Sequence, residues 1–174
     1  MAAIDPSFAQ QMDVVSDGMD DPKKWEPIIE DTAKKYNISP LWLKAQLGVE
    51  SGGKFNSVSE KGAKGPAQFM DATGAGYGIK NPFHPAEAIP AMGRMMRENI
   101  DKNKTSGDQN AIFNAYRQYH GGPDTKIWGP LTNSYPDKIA AYAKKLGWTP
   151  DQDISYAGYI AKQGKTQPVA SPAP

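Results

Sequence analysis

A glutamate closes an apolar helical stripe and is followed at once by a helix-breaking pair: Val49-Glu50-Ser51-Gly52-Gly53. Ahead of it, Asn37 and Ser39 are suited to close one helix and cap the next, and Pro40 fits a first helical position. Leu43, Leu47 and Glu50 then fall three or four residues apart, which sets them on one face of a helix over 40–51. Burial disfavours the charged form of a carboxyl placed there, and so does the negative end of the helix dipole. Both effects raise its pKa. A carboxylic acid still protonated near neutral pH is what a general acid requires. A surface glutamate beside an ordinary glycine cap is the competing reading, and on the helix pattern alone it is the stronger one.

The rest of the chain is helical in pattern. Trp25, Ile28, Ile29, Ala33 and Tyr36 recur at helical spacing and predict a core helix over 25–36. From Gly52 to Lys80 glycine is frequent, and a short helix carrying Phe69 and Met70 fits inside that stretch. A long helix over 85–103 turns Ile89, Met92, Met95, Met96 and Ile100 inward, with Pro90 either bending it or marking its start. A helix over 110–119 ends at His120-Gly121-Gly122-Pro123, and a last core helix spans 136–146 with Ile139, Tyr142 and Ala143 packed. Thr149-Pro150 caps one more short helix, to about 161. Residues 1–22 read as an N-terminal arm, 23–148 as the main domain, 149–163 as a helical extension and 164–174 as a disordered Pro-rich tail.

The motif around Glu50 continues as Phe55, then Ser59-x-x-Gly62-Ala63-x-Gly65-x-x-Gln68. This order resembles the signature of the soluble lytic transglycosylase (SLT) domain, a peptidoglycan-cutting domain. Asn81-Pro82-Phe83 with Pro85 to Ile89 is similar to that family's "DP…P…NI" segment, Ala115-Tyr116 to its "AYN", and Thr132-x-x-Tyr135 to its later Thr-x-x-Tyr. The resemblance runs over residues 25–146. It implies a mainly α, lysozyme-like (SLT or goose-type) helical domain, with a small irregular or β-like segment beside the cleft. Four positions depart from the pattern: Ala67 stands for the groove Met, Arg117 for the Asn of "AYN", Ala88 for the Asn of "NI", and Ser57 for a Pro.

The resemblance makes Glu50 the sole catalytic acid and base, acting on peptidoglycan glycan strands with no cofactor. Ser51, Ser59, Gln68, Tyr116, Arg117 and Tyr135 are the expected substrate-binding residues. On this reading Tyr116 donates its hydroxyl to Glu50, and Ser59 bonds the carboxylate or an N-acetyl group. Gln68 offers donor and acceptor to a sugar amide, and Tyr135 lays its ring on a sugar face. Core aromatics with a wet hydroxyl are the alternative for both tyrosines. Lys61, Lys64 and Arg117 would supply a basic rim.

Composition excludes several other chemistries. A net charge of +1 argues against a nucleic-acid partner, which needs a basic face. The chain has no Cys, hence no disulfide, thiol nucleophile or thiolate metal site. His84 and His120, its two histidines, lack metal-ligand spacing; they read as a helix cap and a loop residue. No Ser stands in a nucleophile elbow, and the Gly74-to-Gly78 run follows no strand and reads as a turn. No stretch approaches the roughly 20 apolar residues of a membrane span.

Met1 to Asp21 lacks the basic start, apolar run and cleavage site of a Sec signal. With a wall substrate, this predicts carriage in a phage virion that acts in the host periplasm and cell wall, alongside other virion proteins. A secretion apparatus, or a leader outside this sequence, is the alternative. Ordinary glycosidases use two carboxylates, and Asp71 and Glu60 are the ones near Glu50 in sequence. The lytic route needs only one, so the reading is cleavage of the MurNAc–GlcNAc bond with a 1,6-anhydro product. A goose-type lysozyme and a non-catalytic wall-binding or structural module are the rivals.

Overall fold

The computed structural model describes residues 19–107 and 110–166. The expected arm over 1–18 and the tail beyond Thr166 lie outside the described residues.

Among the described residues seven α-helices carry the fold: α1 Glu26–Tyr36, α2 Pro40–Ser51, α3 Asp71–Gly76, α4 Pro85–Thr105, α5 Ala111–Gly121, α6 Pro130–Lys145 and α7 Tyr156–Thr166. Short 3₁₀ turns cover Pro22–Trp25 and Thr125–Ile127. α1 ends at Asn37, whose left-handed backbone (φ 50°) returns its N–H to Ala33 and Lys34. α2 begins at Pro40 and ends at Gly52, also left-handed, whose N–H returns to Leu47 and Gly48. Ser39 occupies the cap position of α2, but its side chain makes no cap bond.

α2 is the central element. Trp42, Leu43, Ala45, Gln46 and Leu47 are all buried on it. It packs against α1 and α6, while α4 packs against α1 and α5. Two glycines let these helices approach closely. A Cβ on Gly48 would lie 2.5 Å from the Tyr142 ring, and one on Gly93 would lie 2.3 Å from Thr32 Cγ2. Ile89, Met92, Met96 and Ile100 of α4 are buried as their spacing requires.

Several boundaries differ from the sequence expectation, each for a local reason. α6 begins at Pro130, with Pro136 inside it. Pro is favoured at a first helical position, but here Pro130 holds that position and the helix runs on through Pro136. Tyr135 therefore stands on a helix. α4, by contrast, starts at Pro85 as its spacing predicts, capped by His84 Nδ1, which accepts the Ala86 N–H, and it runs through Pro90. Phe69 and Met70 precede α3 instead of belonging to it; both are extended, and Phe69 bridges Lys64. α7 starts later than expected. It is tied to α1, where the Tyr156 hydroxyl donates to Glu30 at 2.6 Å. Trp148, in the connection before it, packs edge-on against Trp42, 5.2 Å between ring centroids.

The 52–70 segment is a small looped lobe, held by isolated antiparallel bridges of Val58 to Lys64 and Lys64 to Phe69. Among the described residues no longer strand pairing exists, and no helix is long and apolar enough to cross a membrane.

Candidate active site

A groove of about 1000 Å³ opens between the 52–70 lobe and the helices α4 and α5, with Glu50 lining it. Glu50 reaches it because α2 ends there: Leu43 and Leu47 anchor the stripe in the core, and Gly52 turns the chain away two residues after Glu50. The carboxyl is partly buried. Burial raises its pKa from 4.5 to about 7, and a hydrogen bond from the Tyr135 hydroxyl to Oε1 opposes the rise.

The tyrosine that holds Glu50 is thus Tyr135, not Tyr116. Tyr135 is buried, with its ring against Tyr116 (6.5 Å) and His120 (4.8 Å), so it presents no face to a sugar. Tyr116 is fully buried against Trp42, 5.3 Å between centroids, and its hydroxyl has no hydrogen-bond partner among the described residues. The residues of α5 that do line the groove are Gln118, Tyr119 and His120. Tyr119 donates its hydroxyl to the Ala67 carbonyl at 2.6 Å and sets its ring edge-on to Phe69. It thereby ties α5 to the lobe across the floor of the groove. His120, expected in a loop, is helical.

Ser59 and Gln68 line the groove, and each also shapes the lobe. Ser59 Oγ accepts the Ala63 N–H at 3.0 Å. Gln68 Nε2 donates to the carbonyls of Gly65 (2.8 Å) and Ser57 (3.2 Å), so its amide donors are committed to the turn and its oxygen is left for a ligand. Gln68 itself has a left-handed backbone, φ 51°. Gly65 is obligatory there: a Cβ would fall 1.8 Å from the Pro82 carbonyl oxygen.

Ser51 and Arg117 do not reach the groove. The Ser51 hydroxyl, buried, donates back to the Leu47 carbonyl, the preceding-turn bond that a helical Ser makes. Arg117 spans from α5 to α6, to Asn114 Oδ1 and the Asn133 carbonyl. Of the three cations expected on the rim only Lys61 lines the groove, joined by Lys102 of α4. Lys64 is buried and paired with Asp71 at 2.7 Å. Two of the departures from the SLT pattern, Ala67 and Ala88, are fully buried core positions.

The second-carboxylate question has a geometric answer. Asp71 lies outside the groove lining and faces solvent beside Lys64. Glu60 lines the groove but is exposed. Among the described residues no three His, Cys, Asp or Glu side chains form a group that would hold a metal.

The residues that sequence alone missed are Tyr119, His120, Asn99, Lys102 and Met95, all on the α4–α5 side. Tyr116 and Tyr119 are three residues apart, about 60° on a helical wheel, so periodicity could not choose between them. The signal that could have chosen is Gly121-Gly122-Pro123, which directly follows the Tyr119-His120 pair and ends the helix.

The profile of the transglycosylase SLT domain matches residues 27–138. A protein of Enterobacteria phage PRD1 named transglycosylase is 34% identical over 116 residues, covering 67% of this chain. The match spans 42% of the relative's own length.

Proposed function

The chain belongs to the transglycosylase SLT family, and from that premise we propose that it is a peptidoglycan lytic transglycosylase with Glu50 as its one acid and base. The observation that carries the reading is a carboxyl raised to about 7, hydrogen-bonded by Tyr135 and lining a groove in which the other acidic group is an exposed glutamate.

Protonated Glu50 donates to the oxygen bridging N-acetylmuramic acid and N-acetylglucosamine as the C1–O bond breaks. The muramoyl acetamido group stabilises the developing oxocarbenium. Ionised Glu50 then takes the proton of the muramoyl 6-hydroxyl as O6 bonds to C1, which closes the 1,6-anhydro ring and restores the acid. The Tyr135 hydroxyl stays on Glu50 throughout, supporting the carboxylate that forms midway. No cofactor enters. The 6-hydroxyl is held in the same sugar, an intramolecular advantage that can reach about 10⁵ M. Ser59, Gln68, Tyr119 and Met70 supply the surfaces on which the glycan lies.

The phage relative supports a virion context, in which the enzyme opens the wall locally during infection. Wall turbidity tests the activity. The protein should clear a suspension of purified peptidoglycan, and Glu50→Gln should lose at least the 10²–10⁴-fold that general acid-base catalysis typically contributes. A folded wild-type protein that leaves the wall intact would instead fit a non-catalytic wall-binding module.

A further inference from the structure

His120 lines the groove and has no part in the mechanism above, yet its ring is held in place by two specific contacts. It sits near the end of α5, exposed, on the groove that Glu50 lines. Its ring stacks on Tyr135, with centroids 4.8 Å apart and planes at 32°. Its Nδ1 lies 3.0 Å from Thr132 Oγ1. Both contacts go to α6, and Gly121 allows the approach: a Cβ there would meet Thr132 Cγ2 at 2.6 Å. The other ring nitrogen, Nε2, has no hydrogen-bond partner among the described residues.

We propose that His120 touches the substrate: Nε2 hydrogen-bonds a polar group of the sugar bound beside Glu50, while the ring face fixes Tyr135 behind the carboxyl. The inference rests on the groove being a glycan-cleaving site. A neutral imidazole has one donor and one acceptor nitrogen. Thr132 engages one and fixes the ring plane, so Nε2 is left with the complementary role, and an acetamido sugar offers hydroxyl, N–H and carbonyl partners for either. A histidine that merely ended a helix would need neither the threonine nor the stack.

The charged groups around the ring are Lys61 on the lobe, Lys138 on α6 and Glu50 behind Tyr135. Partial burial and the two lysines push the imidazole below its ordinary pKa. The neutral ring is therefore the form that meets substrate near neutrality. Protonation at lower pH turns both nitrogens into donors and adds a positive charge beside Tyr135, so kcat/KM should fall on the acid side through a group other than Glu50.

The test uses Glu50→Gln protein with ¹⁵N-labelled histidine, titrated with a peptide-free peptidoglycan tetrasaccharide. The Nε2 resonance of His120 should shift with saturation of the site. In His120→Phe, which keeps a ring on Tyr135, the tetrasaccharide Kd should rise about tenfold, the worth of one hydrogen bond. With Glu50 restored, the same substitution should remove the acid limb of kcat/KM and leave the alkaline limb in place. Tetrasaccharide binding with a silent Nε2 overturns the contact whatever the variants do, and leaves the glycan-cleaving assignment standing. An acid limb unchanged in a folded His120→Phe protein overturns it equally. Failure of the wild-type protein to cut wall, with no binding of the tetrasaccharide, overturns both.

Discussion

Glu50 is under two opposed influences, and each can be removed separately. Tyr135→Phe deletes the hydroxyl that lowers the Glu50 pKa. The alkaline limb of kcat/KM should therefore move to higher pH, while kcat falls about tenfold through lost orientation and support of the carboxylate. A limb that moves down, or stays, would show that the hydroxyl does not hold the ionised form. Glu50→Gln removes the burial cost. A carboxyl whose pKa rises on folding binds its proton more tightly in the native state, so it lowers stability as pH climbs from about 4.5 to about 7. The Gln variant should match wild type in unfolding free energy near pH 4 and exceed it at pH 8 by on the order of 3 kcal/mol, read as a higher melting temperature at pH 8 only. Equal melting temperatures at both pH values would contradict the buried-acid picture. This residue was legible in the sequence because Leu43 and Leu47 fix its face and the Ser59-to-Gln68 motif follows it. Its hydroxyl partner was not, because a contact between α2 and α6 across 85 residues leaves no local trace, and Tyr116, Tyr119 and Tyr135 are equivalent as letters.

At the scale of elements, the lobe between α2 and α3 is what turns a helical body into a groove. Its shape rests on bonds internal to it, from Ser59 and Gln68, and on one glycine under a carbonyl. Gly65→Ala should lower stability by about 3 kcal/mol or more and abolish wall lysis, since a Cβ cannot share space with the Pro82 oxygen. Gly62→Ala is the control. It too has positive φ, but nothing lies within 4 Å of its Cβ, so only the left-handed strain of about 1–2 kcal/mol applies. Equal melting temperatures for the two variants would dismiss the steric account. Helix starts and caps around α1, α2 and α4 were readable because Asn37, Pro40, Gly52, His84 and Pro85 act locally. The lobe was not, since Phe69 and Met70 carry apolar letters that suit a helix and a bridge alike. Pro136 misled for a similar reason: a proline marks a helix start only when no earlier residue has taken that position, and Pro130 had.

For the whole molecule, the SLT match at 27–138 is smaller than the packed unit. Trp148 stacks edge-on against Trp42, Gln152 is buried, and Tyr156 reaches Glu30. Truncation after Leu146 should accordingly cost about 3 kcal/mol or more, the scale of removing a buried tryptophan; an unchanged melting temperature would make the extension an appendage. Among the described residues this packed unit sets no second buried carboxylate across the groove from Glu50, because Asp71 is turned outward to Lys64. That arrangement has a chemical consequence that one measurement reads directly: mass spectrometry of peptidoglycan digested by the wild-type protein. Ring closure by the muramoyl 6-hydroxyl leaves 1,6-anhydro ends, one water lighter than reducing ends, and these should dominate the products. A digest with mainly reducing ends would mean that water is the acceptor, and would move the protein to the hydrolases of this fold.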